Sequence, residues 1–121
     1  RLDALGAALS AERRPVVGDI GRLEGAALLR PLALAADESL LVIRACPTAV
    51  PSLADLAVPA TGVVVVRDPG RRLPTDVIAE AAGAPVVAEV ALDPAVGRAI
   101  DADLSNRALP RGFLRALRRL A

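Results

Sequence analysis

The sequence predicts an α/β fold: three layers, α/β/α, around a mostly parallel sheet of about four strands. Three observations carry this reading. Short runs rich in Val, Leu and Ile, at residues 16–20, 39–45, 62–67 and 85–90, alternate with Ala/Leu-rich stretches of helical period. The run at 39–45 has almost no polar alternation, as expected of a strand buried on both faces. Hydrophobic residues make up 54 % of the 121 positions and aromatic residues only 1 %, so the core must be built from small aliphatic side chains. Such cores suit Val-rich strands beneath Ala/Leu-faced helices.

Each element has its own local signal. Leu2, Leu5 and Leu9 are spaced for one face of a helix, which stops near Arg13 and Arg14 because Pro15 disfavours helix at the residue before it. Residues 16–20 read as a strand that climbs to Asp19. Residues 24–36 read as a helix, broken or kinked at Pro31. The strand at 39–45 follows, then a helix over 48–56 with Thr48 as its candidate N-cap. GVVVVR, residues 62–67, is the clearest strand. Pro69 and Gly70 make a turn, Thr75 can cap a helix over 76–82, and Gly83 ends it. A fourth strand at 85–90 leads to a helix that Asp93 or Pro94 opens and that runs to about Asp103. Pro110 introduces a last helix, from Arg111 to Ala121. No repeat or long linker divides the chain, so it reads as one α/β domain over residues 1–121.

Composition excludes much chemistry. The net charge is +1, which points to neither nucleic acid nor an acidic partner. All 15 basic residues are arginine, and there is no lysine, histidine or tyrosine. Most general bases and all Schiff-base chemistry are therefore absent. Cys46 is the one cysteine, which excludes an internal disulfide and a cysteine-rich zinc site, and suits a buried structural thiol in a reducing compartment. No apolar run approaches the length of a membrane span. With no signal peptide either, the expected location is the cytoplasm. A chain that starts at Arg1 and has no methionine reads as a piece of something longer.

Asp19 is the leading candidate for chemistry. At the C-terminal end of a parallel strand, a carboxylate can hold magnesium through water or position an attacking water beside a phosphate. A strand-end carboxylate can also simply cap its own loop. Gly18, Gly21 and Gly25 do not form a phosphate-binding fingerprint and read as turn glycines.

Read in order, VVGDIGR (16–22), ADESLLVIRACPTAVPSL (36–53), ATGVVVVRDPG (60–70) and APVVAEVALDPAVGRAID (84–101) resemble the C-terminal half of a MinD/ParA-type P-loop ATPase. Among that family the pilus-assembly CpaE/TadZ-like members are the nearest in character. The resemblance implies a parent that binds ATP and magnesium, dimerises around nucleotide, and acts in positioning, partitioning or pilus and secretion assembly. It implies that Asp19 lies near the magnesium and the attacking water. Arg67 and Asp68 would face the adenine, and Asp93 and Pro94 would form the loop that closes over it. The chain departs from the family in having Arg67 and Asp68 where Asn is common, and Leu92 where Pro is common. It also lacks the phosphate loop, whose strand in the family lies between the Asp19 strand and the 39–45 strand. A sheet with that gap is expected to be unstable, rearranged or oligomeric, and this piece alone is not expected to catalyse. A non-enzymatic interaction module, a degenerate relative, is the alternative.

The last helix is amphipathic. Phe113, Leu114, Leu117, Leu120 and Ala121 share one face, and Arg111, Arg115, Arg118 and Arg119 the other. Such a helix can pack on the sheet, lie on an anionic membrane surface as in MinD-like proteins, or meet a DNA backbone or a protein partner.

Overall fold

In the computed structural model, which describes residues 1–22, 26–54, 56, 58–70, 73–102 and 109–120, three strands run parallel and side by side in chain order. They are β1 (Leu40–Arg44), β2 (Gly62–Arg67) and β3 (Val86–Ala91). Helix α3 (Ala49–Ala54) joins β1 to β2, and α4 (Thr75–Ala82) joins β2 to β3. Leu53 of α3 and Ile78 of α4 bury against Leu41, Ile43, Val63 and Val65, so both crossover helices cover the same face. That is the outcome of two successive crossovers of one hand. Ile78, Val63 and Val65 are completely buried, and each side chain contributes about 1.5–3 kcal/mol by leaving water.

The opposite face holds Val64, Ala88 and Val90, and α6 (Arg111–Leu117) lies on it through Phe113, Ala116 and, just past its end, Leu120. Of the predicted apolar face, Phe113 and Leu120 pack on the sheet, while Leu117 stays 37 % exposed. The fold is α/β with helices on both faces of an open three-stranded parallel sheet. Between β3 and α6 lies α5 (Pro94–Asp101), with Asp93 as its N-cap. Asp103, the predicted end of that helix, lies outside the described residues, as do Glu24 and Ala121. No helix among the described residues is long and apolar enough to cross a membrane.

A bulge at Val63/Val64 decides which way β3 points its side chains. Val63 pairs with Val86, but Val64 pairs with Ala88. The extra residue resets the alternation. Val86 turns to the α3–α4 side, Ala88 and Val90 turn to α6, and Glu89, opposite Val65, turns back toward Arg67.

The N-terminal region departs most from expectation. Helix α1 (Leu2–Ser10) forms, but Leu5 and Leu9 stay exposed and Gly6 is its buried residue. Gly6 lets α1 approach α2 (Arg30–Ala35) closely, because a Cβ there would lie 2.9 Å from Ala35 Cβ. Ser10 Oγ adds a 2.8 Å hydrogen bond to the Ala35 carbonyl. The helix predicted over 24–36 is a 3₁₀ turn at Ala26–Leu29 running into α2, with Pro31 in the first turn of α2, where its missing N–H is harmless.

Residues 16–20 are not a strand. They have no regular structure and Val17 is 96 % exposed. Five residues interrupted by Gly18 and preceded by Pro15 make a weak strand, and Asp19 draws the Gly21 N–H into a local turn at 2.8 Å. Among the described residues the sheet therefore has three parallel strands, residues 16–20 not being one of them, and the expected internal gap does not arise. β1 is simply an edge.

Candidate functional site

The C-terminal ends of the three strands gather most of the polar side chains that pair. Two clusters form there, one on each face of the sheet. Arg44 ends β1 and Asp68 follows β2. Arg44 Nε and Nη2 donate to the two carboxylate oxygens of Asp68 at 2.7 and 2.8 Å, a bidentate fork. The Asp68 side chain is 10 % exposed and that of Arg44 60 %. The hydrogen bonding to the Asp68 carboxylate, then its charge, raises the Arg44 pKa above its ordinary value. Cys46 Sγ and Thr48 Oγ1 lie 3.2 Å apart beside this pair. With Pro69 these four residues line an open cleft of about 550 Å³.

On the other face Arg67 ends β2 and sits in a closed network. Its Nη2 donates to Glu89 Oε1 at 2.8 Å and to Thr75 Oγ1 at 2.7 Å, and its Nε donates to Glu89 Oε2 at 3.2 Å. Its Nη1 donates to the Leu73 carbonyl. The Thr75 hydroxyl in turn donates to Glu89 Oε1 at 2.6 Å. The hydrogen bond to Glu89 raises the Arg67 pKa against the opposing effect of burial. The bonds from Arg67 and then Thr75 hold the Glu89 carboxyl below its ordinary range. The network ties the α4 entry to two strands. It also changes the role predicted for Thr75, which makes no capping bond and is the first residue of α4, after Pro74.

Of the residues singled out in the sequence, Arg67, Asp68, Asp93 and Pro94 all follow or end strands at this one end of the sheet. Each has an internal role here. Asp93 accepts the Ala95 N–H at 2.8 Å as the N-cap of α5, and Pro94 occupies the first turn. Asp19 is elsewhere. Its neighbour Ile20 packs on Ala33 and Val58, residues that precede β1 and β2 in the chain. Asp19 is thus not gathered with the other four. Among the described residues no three Cys, Asp or Glu side chains come together as a metal site. These residues, bonded as they are, do not by themselves make a pocket fitted to a nucleotide and its magnesium.

Sequence reasoning missed Arg44 and Glu89. A signal existed for both. A lone charge at the end of a buried apolar strand, or within one, demands a partner. What the sequence could not show is the bulge that turns Glu89 toward Arg67. Compared with protein family models, with curated proteins and with solved structures, the chain matches none.

Proposed function

We propose that this chain is the C-terminal part of a MinD/ParA-like P-loop ATPase acting in intracellular positioning, partitioning or pilus and secretion assembly, and that it is not catalytic alone. One observation supports the reading most. β1 has the sequence of an interior strand and the position of an edge strand. Leu40 and Val42 alternate with buried Leu41 and Ile43, yet are 42 % and 64 % exposed. A strand apolar on both faces, with one face uncovered and its outer edge unpaired among the described residues, fits a sheet and a covering helix layer that continue past β1. In the family, the phosphate-loop strand takes that place. ATP and magnesium would then belong to the parent, with Asp19 brought to the metal only when the sheet is complete.

Heat denaturation with and without ATP and magnesium tests this. A ligand that binds only the folded state raises its stability. The parent is expected to melt higher with nucleotide, while this chain alone is expected not to shift. A parent indifferent to ATP overturns the reading. A second reading, a non-enzymatic contact module, is favoured by a specific observation: the side chains of Arg67, Asp68 and Asp93 are all bonded internally. It predicts an unshifted parent that still binds a protein partner.

A further inference from the structure

The outer edge of β1 carries a pattern that the fold does not use. Ala45 N–H donates to Val66 O, and Ser39 O accepts from Thr61 N–H. By alternation, residues 39, 41, 43 and 45 turn their backbone groups to β2, and Leu40, Val42 and Arg44 turn theirs outward. β1 ends the sheet among the described residues. Proteins usually blunt such an edge with lysine, proline or a bulge. β1 has neither residue, and its pairing with β2 is regular.

We propose that this edge pairs with the same edge of a second copy of the chain, antiparallel about a two-fold axis. A two-fold axis along the strands would set N–H against N–H, so the axis lies perpendicular to the strands and the pairing is antiparallel. The outward-facing rows must meet, so even-numbered residues oppose even-numbered residues. One allowed register sets Val42 against itself, which leaves Arg44 opposite Leu40 and Glu38 opposite Cys46. Registers centred on Leu40 or Ile43 likewise leave Glu38 and Arg44 unmatched. The remaining register is centred on Leu41. It sets Leu40 opposite Val42 and Glu38 opposite Arg44, each twice by symmetry. Charge complementarity selects the Leu41-centred register, because acidic–apolar–apolar–basic read forwards matches itself read backwards. Arg44 can serve both acids. Asp68 takes Nε and Nη2, and the largely exposed guanidinium has further N–H groups to offer.

The inference goes beyond the ATPase reading and does not rest on it. A parent that supplies the phosphate-loop strand would set it on this edge, so the pairing is proposed for the 121-residue chain, in which that edge is unpaired among the described residues.

Sedimentation equilibrium of the full 121-residue chain over a concentration series is the test. A reversible dimer is expected. Val42→Pro removes an outward N–H and leaves every bond to β2, so it is expected to be monomeric where the natural chain is dimeric. If that proline unfolds the chain by circular dichroism, Glu38→Arg decides. Glu38 is exposed and precedes β1, and the change sets arginine opposite Arg44 twice, weakening association at least about tenfold. A chain monomeric at every concentration, or a dimer that Glu38→Arg leaves equally tight, overturns the proposal. Neither result bears on nucleotide binding by the parent, so the two readings fail separately.

Discussion

Arg67 and Glu89 meet across β2 and β3, with Nη2 and Oε1 2.8 Å apart and the Thr75 hydroxyl bonded to both. The bulge makes this possible. Without it Glu89 would lie opposite Val66 and face α6. One extra residue in β3 therefore places a carboxylate where it joins two strands to the start of α4.

Glu89→Gln is expected to lower stability by about 0.5–1 kcal/mol near neutral pH. The figure is small because the Glu89 side chain is 43 % exposed and solvent screens the pair. The sign of the pH dependence follows from the lowered folded pKa. Glu89 contributes fully above its ordinary value of about 4.5, and the contribution is lost as pH falls from there through the folded value. Urea titrations of both proteins should differ at pH 7 and converge in acid. A gap that widens in acid would contradict the assignment.

Ile78 and Val42 should respond oppositely to change. Ile78→Ala opens a cavity beneath the sheet and is expected to cost about 2–5 kcal/mol. Val42→Thr, on the exposed side of β1, is expected to stay within about 0.5 kcal/mol in dilute solution. Urea midpoints at unchanged slope would show the contrast. Equal losses would mean that the outer side of β1 is covered.

Asp93 is argued to cap α5. Asp93→Ala should then cost about 1 kcal/mol, and Asp93→Asn should restore most of it, since asparagine caps as well. Thermal melts of the chain without nucleotide would read this directly. A residue that served only a bound base would leave those melts unchanged.

The sheet was legible because its signals are strong and local. GVVVVR and the run at 39–45 have no helical reading, and Gly83 marks the end of α4 by adopting the left-handed conformation at φ 64°. The N-terminal region was not legible. Residues 16–20 have the composition of a strand, but a strand is made by pairing, and among the described residues none pairs with them. For α1 the leucine spacing gave the helix correctly and its buried side wrongly, because the close approach of Gly6 to Ala35 decides that packing. At the candidate site, Asp93 was visible as the residue that opens α5, while Arg67 and Asp68 were singled out only by the family resemblance. Their partners were not, since register shifts and bulges leave no mark in a single sequence.

Amide hydrogen exchange across β1 separates an open edge from a covered one. In dilute chain the inward amides of Leu41 and Ile43 should be protected and the outward amides of Leu40, Val42 and Arg44 should exchange fast. As concentration rises, the outward set should gain protection and the inward set should hardly change. Outward amides protected equally at every dilution would mean that another part of the same chain already covers this strand, and the account of β1 as an open edge would be wrong.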